Sequence, residues 1–205
     1  MDQIQITKQK LIIVEGKDDK LFFEKLIENI GIADVQIHFL GGKSFFTAPN
    51  FNSIKLAPDF RQVQYLIVIR DADEDATGAF QSVCSILTQI QLPVPASPLT
   101  FTNGTLKVGI LIVPPKGNKG KLEDVCLSMI SGYKEIKCIK DFFCCLKKVL
   151  EKENYPNDLA KAEIQAFLSS RKESVPHLGV AAAKGYFPLT SPALDEIRVF
   201  LSQIR

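Results

Sequence analysis

The sequence has few histidines and no cysteine pair with the spacing of a zinc site. Its five cysteines include no C-x-x-C motif, and only His38 and His177 are histidines. The cysteines are Cys84, Cys126, Cys138, Cys144 and Cys145. Because structural zinc is held by cysteine and histidine at short, regular spacings, this composition argues against a zinc site. It predicts reduced thiols, most of them buried.

The chain also lacks a long apolar run and an excess of charge of either sign. No stretch approaches the roughly 20 apolar residues of a membrane span, and residues 1–8 do not have the basic start and apolar core of a signal peptide. The net charge of +2 excludes a global basic field of the kind found on many nucleic-acid-binding proteins, although it leaves room for a local one. We therefore expect a cytoplasmic protein with no membrane partner.

Short apolar runs alternate with helical patterns through the first part of the chain. The predicted strands are residues 11–14, 35–40, 65–70 and 106–113, and helices are predicted over 18–30, 76–91 and from 122. After residue 130 only helical patterns remain. Uninterrupted β-branched runs are typical of strands buried on both faces of a parallel sheet. The sequence therefore predicts an α/β core over residues 1–132 and a helical extension over 133–205, packed on the same domain.

Three segments are harder to interpret. Residues 45–60 suit either a short helix or an irregular crossing, and the three prolines of residues 92–103 predict an exposed connection. The amphipathic helix predicted over residues 136–150 contains three of the cysteines. It suits either a role in covering the core or contact with a second copy of the chain, and we expect the first.

Carboxylates follow the predicted strands at three points of the sequence. These acids are Glu15 and Asp19, then Asp71, Asp73 and Asp75, and then Glu123 and Asp124. Because the carboxyl ends of parallel strands meet at one edge of a sheet, we expect several of these acids to lie close together. Crowded carboxylates raise one another's pKa, and an oxygen-preferring cation such as Mg²⁺ or Mn²⁺ removes that repulsion. The sequence thus predicts a divalent-metal site.

Some of these acids also have a purely structural explanation. Asp19 suits a helix cap, and Glu123 suits the acidic first turn that the helix dipole favours. Glu15, Asp71 and Asp73 are harder to explain in this way, because they directly end or follow buried strands. Desolvation of a carboxylate there is costly unless something compensates for it.

Two loops contain glycine next to lysine. The pair Gly41-Gly42 indicates either a close backbone approach to a ligand or an ordinary turn. The loop over residues 114–121 carries Lys116, Lys119 and Lys121 but lacks the G-x-x-x-x-G-K-[ST] spacing of a P-loop. Its lysines suit either contacts to substrate phosphate or a solvated loop.

The order of these motifs resembles the Toprim domain, the catalytic α/β module of topoisomerases, bacterial primases, recombination proteins and OLD-family nucleases. The resemblance rests on V-E-G-x-x-D at residues 14–19 and D-x-D at 71–73. The glycine pair at 41–42 and L-E-D at 122–124 are most similar to stand-alone Toprim proteins of the OLD type. The resemblance covers roughly residues 10–130 and implies a Toprim-like, Rossmann-type parallel sheet.

The resemblance also implies roles for individual residues. It implies that Glu15 is a metal ligand or general acid/base and that Asp19 completes the catalytic site. The other implied ligands of Mg²⁺ or Mn²⁺ are Asp71, Asp73 and Glu123. Two such ions would activate a water and stabilise the leaving oxygen of a phosphodiester. The expected phosphate contacts are Gly42, Lys116, Lys119 and Lys121, and Lys184 is a candidate catalytic cation.

These features predict a divalent-metal-dependent nuclease, a phosphodiester hydrolase acting on DNA or RNA. The alternative is a non-catalytic Toprim module that binds metal or nucleic acid and works with a partner such as a separate ATPase, because the sequence shows no ATPase domain of its own. A third interpretation is a Toprim enzyme acting on a small phosphate compound. The oligomeric state is left open.

Overall fold

A computed structural model describes residues 4–205 of the chain and contains one four-stranded sheet. Its strands are β1 (Lys10–Val14), β2 (Val35–Phe39), β3 (Tyr65–Asp71) and β4 (Lys107–Val113). All neighbours are parallel, in the order β2-β1-β3-β4. The carboxyl ends of the four strands therefore lie along one edge. Residues 1–3 lie outside the described residues. They are the first residues of the core predicted over 1–132 and of the N-terminal segment that was compared with a signal peptide.

Eight α-helices surround this sheet in the described part of the chain. They are α1 (Lys17–Asn29), α2 (Ala48–Lys55), α3 (Ala76–Gln89), α4 (Leu122–Met129), α5 (Lys134–Val149), α6 (Leu159–Ser169), α7 (Leu178–Ala183) and α8 (Asp195–Ser202). Short 3₁₀ helices cover Lys43–Phe45, Pro58–Gln62, Lys152–Asn154 and Pro192–Leu194. Within residues 4–205, no helix combines the length and the apolar character needed to cross a membrane.

Alternation along the strands divides the buried side chains between two faces of the sheet. Ile12 and Ile67 point to a cluster that includes residues of α1, α4 and the C-terminal helices. Leu11 and Leu66 point to a second cluster built with α2 and α3. Since both faces are covered, the strands have the uninterrupted apolar character expected of a buried parallel sheet. The predicted α/β class, with flanking helices and a helical C-terminal layer, is confirmed.

The C-terminal helices pack on the sheet-bearing part of the chain. Phe167 of α6 belongs to the same buried cluster as Phe22 of α1. The backbone of α7 comes close to α1 at Gly179, where an added Cβ would lie 2.2 Å from Cβ of Leu21. The division at residues 132 and 133 stays a prediction, because one buried cluster contains residues from both sides of it.

The segment before β4, which its prolines predicted to be an exposed connection, is partly paired with that strand. Leu99 N–H donates to Ile110 O at 2.9 Å, and Thr102 N–H donates to Val108 O at 2.9 Å. Phe101 forms an antiparallel bridge with Gly109. The predicted exposed connection is therefore wrong for Leu99, Phe101 and Thr102, which are partly buried, whereas Thr100 is exposed. The backbone of residues 99–102 pairs with the open edge of β4 and shields it from other strands.

The predicted burial of the cysteines is wrong for three of the five. Cys126 is buried and Cys84 is partly buried, but Cys138, Cys144 and Cys145 are exposed. All three exposed thiols lie on α5, which buries Ile136, Ile139 and Phe143 on its inner face. This 16-residue helix has more apolar side chains than its contact with the core can cover, so the three cysteines remain exposed.

The close contact between α1 and α7 gives a test of the C-terminal packing. Gly179→Ala should lower the free energy of unfolding by about 1–3 kcal/mol, because the new methyl group overpacks the contact with Leu21. Urea denaturation monitored by circular dichroism measures this change. Gly132→Ala is the matched control, since a Cβ there meets nothing within 4 Å. Equal stabilities of the two variants would contradict the packing of α7 on α1.

Candidate active site at the carboxyl edge of the sheet

The backbone of Glu15, directly after β1, is fixed by the predicted glycine loop. Its carbonyl oxygen accepts hydrogen bonds from Gly41 N at 3.1 Å and Gly42 N at 2.9 Å. Both glycines have positive φ angles, 105° and 125°, which side-chain-bearing residues rarely adopt. The glycine pair therefore approaches the backbone of Glu15. The contact of Gly42 with substrate phosphate stays a prediction.

The Glu15 side chain is partly buried and incompletely satisfied. Its Oε2 atom is buried and has no hydrogen-bond partner among the described residues. Burial, followed by the nearby charge of Asp73, raises the pKa of Glu15. The cations Arg70, Lys43 and Lys121 oppose this rise. The carboxyl group of Glu15 is thus partly buried, and its Oε2 atom is free to bind a proton or a cation or to accept a hydrogen bond.

Asp19 supports the turn between Glu15 and α1. Its Oδ2 atom accepts a hydrogen bond from Gly16 N at 2.8 Å, as in a helix cap. Burial, with added repulsion from Glu15 and Glu123, raises the pKa of Asp19 to about 6 against the opposing Gly16 hydrogen bond. Asp19 therefore caps the start of α1, as its structural explanation predicted. Its carboxylate also interacts electrostatically with Glu15 and Glu123.

Asp71 is the acid whose charge is most strongly disfavoured. It ends β3, in register with Val113 of β4, and its Oδ1 atom accepts a hydrogen bond from Leu122 N at 3.1 Å. Burial, together with repulsion from Asp19, Glu123, Glu15 and Asp73, raises the pKa of Asp71 to about 9. The side chain is therefore largely protonated at neutral pH unless a cation compensates for its charge.

Asp73 lies in a strained turn and is held by lysines. Its φ angle is 50°, and its backbone exchanges hydrogen bonds with Gly120 at 2.9 and 2.7 Å. Its carboxylate contacts Lys43 Nζ at 2.6 Å and lies 3.8 Å from Lys121 Nζ. Two lysines thus neutralise Asp73, whereas neither contacts Asp71.

The glycine-lysine loop is attached to the turn that carries Asp73. Ala76 N donates to Asn118 O at 2.8 Å, next to the paired Gly120. Lys121 also binds Asp158 at 2.9 Å. The side chain of Lys116 is 82% exposed and lies 3.4 Å from Glu196. Of the three lysines predicted to contact phosphate, only Lys121 reaches the acids, while exposed Lys119 forms no ion pair within residues 4–205.

Glu123 belongs to the group of acids, whereas Lys184 makes no contact with it. Burial raises the pKa of Glu123, and the charge of Glu123 in turn raises the pKa of both Asp19 and Asp71. Lys184 forms an ion pair with Glu173 at the exposed end of α7. In the described residues, no hydrogen bond or ion pair joins Lys184 to the strand-end acids. Its catalytic role stays a prediction.

Sequence reasoning missed two cations at this edge, Lys43 and Arg70. Lys43 follows the glycine pair and binds Asp73. Arg70 precedes Asp71 in β3, donates to Ser82 Oγ at 2.9 Å, and lies 5.3 Å from the ring centre of Phe46. Its Nε atom is buried without a hydrogen-bond partner among the described residues. Their positions in the sequence could have revealed them, because Lys43 directly follows the glycine pair and Arg70 directly precedes the D-x-D motif.

The acids that the structure brings together form the acidic edge, defined as Glu15, Asp19, Asp71, Asp73 and Glu123. Their oxygen atoms are the ligand type that Mg²⁺ and Mn²⁺ prefer. The raised pKa values and the unpartnered Glu15 oxygen fit a cation that would compensate for the buried charge. However, no three His, Cys, Asp or Glu residues within residues 4–205 are gathered closely enough to form a metal site. The carboxylate oxygens are therefore of the type that binds Mg²⁺ or Mn²⁺, but three or more ligands are not gathered around one point within residues 4–205.

The fold and site define an α/β protein with partly buried acids at the carboxyl edge of a parallel sheet. Residues 9–205 match the family described as "Protein of unknown function (DUF3226)", and the chain belongs to that family. The comparison with curated proteins gives no match.

Among solved structures, the chain is similar to the C-terminal regions of two OLD proteins. That of Xanthomonas campestris pv. campestris is 14% identical with a TM-score of 0.49, over 98% of this chain and 100% of the other. That of Burkholderia pseudomallei is 10% identical with a TM-score of 0.46, over 97% and 100%. Similarity at this level carries no functional argument.

The pKa of Asp71 predicts an unusual dependence of stability on pH. The folded protein holds this proton more tightly than the unfolded chain, in which the pKa returns to its ordinary value of 3.8. Unfolding therefore releases a proton between about pH 4 and pH 9, and the Asp71 contribution to the free energy of unfolding falls as pH rises. Asp71→Asn keeps a hydrogen-bond acceptor for Leu122 N but cannot ionise. The variant should therefore not show this fall in the free energy of unfolding as pH rises.

In metal-free buffer, the Asn variant should match the wild type near pH 4 and exceed it increasingly up to pH 9. A pKa difference of one pH unit corresponds to about 1.4 kcal/mol, so we expect a gain above that value at pH 9. Urea denaturation at several pH values measures it. The exposed Asp59→Asn is the control and should change stability by less than about 0.5 kcal/mol throughout. A constant difference between Asp71→Asn and the wild type would refute the raised pKa.

Proposed function

We propose that the protein is a divalent-metal-dependent phosphodiester hydrolase of the Toprim type that acts on DNA or RNA. The observation that carries the proposal is the concentration of partly buried carboxylates at the ends of β1 and β3, with the pKa of Asp71 raised to about 9. Such an arrangement is costly for the fold and is typical of functional sites, where charge is kept ready for a ligand. A cation is the ligand that these acids would favour.

In this proposal, Glu15, Asp71, Asp73 and Glu123 hold Mg²⁺ or Mn²⁺. When bound, the metal would polarise the phosphate and lower the pKa of a water molecule. The motif order V-E-G-x-x-D and D-x-D, which resembles the Toprim domain, supports the same choice of ligands. The raised pKa values favour a doubly charged cation over a single lysine, because several acids repel one another at once.

The chain's own groups would divide the remaining work. Glu15 has a raised pKa and an unpartnered Oε2 atom, so it suits a group that accepts and returns a proton. Asp19 fixes the Gly16 turn through its hydrogen bond and would hold Glu15 in place. Lys121 and Lys43, now on Asp73, would turn toward substrate phosphate. Gly42, Lys116, Lys119 and Lys184 complete the proposed substrate contacts.

A second candidate is a binding module without catalysis, working with a partner such as a separate ATPase. It is favoured by the absence of an assembled three-ligand group within residues 4–205 and by the lysines that already neutralise Asp73. In this case the acidic edge and loop 114–121 would bind metal or nucleic acid but would not turn over substrate. Salt-dependent binding of nucleic acid without cleavage would identify this candidate.

The variants Glu15→Gln and Asp71→Asn test the hydrolase directly. Each should reduce Mn²⁺-dependent cleavage of labelled single- and double-stranded DNA and RNA by at least about 100-fold, because each removes a proposed ligand or proton acceptor. Glu74→Gln is the matched control, since Glu74 is an exposed carboxylate in the same turn as Asp73. It should retain cleavage within about threefold, the change typical of a surface substitution.

The comparison has outcomes that contradict each candidate. Equal cleavage by wild type and both variants would exclude the acidic edge as the active site. Cleavage lost also in Glu74→Gln would show a general effect of charge. If the wild type cleaves nothing but binds nucleic acid with strong salt dependence, the binding module replaces the hydrolase.

Metal binding can be tested before any substrate is known. A ligand that binds only the folded state stabilises it by about 2.7 kcal/mol at a hundredfold excess over its dissociation constant. We expect millimolar Mn²⁺ or Mg²⁺ to raise the melting temperature of the wild type and of Glu74→Gln, and to have little effect on Asp71→Asn. An unchanged melting temperature in all three proteins would argue against a metal site formed without substrate.

A further inference from the structure

Helix α5 presents a row of apolar side chains to solvent. Cys138, Phe142, Cys145 and Val149 are all exposed, with exposed fractions of 53% for Phe142 and 71% for Val149. We call these four residues the α5 stripe. Their spacings of four, three and four residues place them on one side of the helix, over roughly 16 Å of its length. They are separate from Ile136, Ile139 and Phe143, which the same helix buries in the core.

We propose that the α5 stripe is the contact surface of a homodimer, in which α5 pairs antiparallel with α5 of a second copy. The spacing is that of the a and d positions of a coiled coil, with Phe142 and Val149 at a and Cys138 and Cys145 at d. In an antiparallel pair, Phe142 faces Cys145 of the second copy. Cys138 likewise faces Val149. Each layer then combines a large and a small side chain.

Charge complementarity selects a second copy as the occupant. Asp141 and Lys148 occupy the g positions beside the stripe, are exposed, and form no ion pair within residues 4–205. In the antiparallel pair, g positions lie next to g positions, so Asp141 of each copy meets Lys148 of the other. The two-fold axis forms this pair twice, as an isologous interface requires.

The charges do not favour an anionic surface as the occupant. Asp141 lies directly beside the stripe and would repel phosphate groups of a membrane or nucleic acid. Lys140 and Lys147 lie on the opposite side of α5 from the stripe, by the 100° rotation per residue of an α-helix. Lys140 and Lys147 are therefore poorly placed to support insertion of the stripe into a membrane surface, and the charge of Lys148 beside the stripe is offset by that of Asp141.

The small area predicts a weak, concentration-dependent dimer. Four side chains per copy bury less than the roughly 800 Å² per partner of a standard interface, so we expect a dissociation constant on the order of 1–100 µM. This proposal does not depend on the proposed hydrolase activity. It is tested by sedimentation velocity in reducing buffer over about 1–300 µM protein, the range that brackets this affinity.

Charge reversal tests the pairing itself. Asp141→Lys or Lys148→Asp alone should weaken dimerisation at least about tenfold, because each places two pairs of like charges at the interface. The double variant Asp141→Lys/Lys148→Asp should restore the dissociation constant to within about threefold. An equimolar mixture of the two single variants should associate, because their opposite charges match in a heterodimer.

Phe142→Glu should yield a folded monomer with the circular dichroism spectrum of the wild type, because this side chain is 53% exposed in the single chain. Val199→Glu is the control, since Val199 of α8 is 68% exposed and lies outside the stripe; it should dimerise like the wild type. The proposal is overturned if the wild type is monomeric at 300 µM or if Phe142→Glu dimerises normally. Failure of both the double variant and the mixture would also overturn it. A monomer that binds anionic vesicles through Phe142 would assign the stripe to a membrane instead.

Discussion

Repulsion between partly buried carboxylates is the constraint on which the carboxyl edge of this protein depends. Parallel strands β1 and β3 bring Glu15 and Asp71 to the same edge, and α1 adds Asp19. The fold compensates with backbone N–H groups and lysines. Leu122 N donates to Asp71, Gly16 N donates to Asp19, and two lysines neutralise Asp73. The compensation remains incomplete at Asp71, since the pKa of Asp71 is raised to about 9.

The loops at this edge are arranged around the same requirement. Gly41 and Gly42 fold back onto the carbonyl oxygen of Glu15, and loop 114–121 is attached through Gly120 to the backbone of Asp73. Helix α4 begins where its first N–H group reaches Asp71, an anion or acceptor at the positive end of a helix. The apolar core fixes the strands, and the strand ends then determine where each loop must provide a donor.

Sequence patterns predicted much of this architecture because strands and acids carry local signals. The apolar run before Asp71 and the V-E-G motif at Glu15 were enough to place both acids at one edge. Lys43 and Arg70 were missed because their partners, Asp73 and Ser82, come from tertiary contacts. Lys184 could not be placed either, since its ion pair with Glu173 depends on the course of the chain before α7. The exposure of Cys138 was unforeseeable because helical periodicity shows an apolar face but not how much of it the core covers.

A proton and a cation are alternative ways of neutralising Asp71. At neutral pH, an Asp71 whose pKa is raised to about 9 carries a proton, and a metal ion must displace that proton before it can bind the carboxylate. The energetic cost of displacement falls as pH rises, so a metal would bind more tightly in mildly alkaline solution. The two lysines on Asp73 act in the opposite sense, because they compete with the metal for an adjacent carboxylate at every pH at which lysine is charged. In the proposed function, the acidic edge would therefore bind the metal once substrate phosphate draws the lysines away from Asp73.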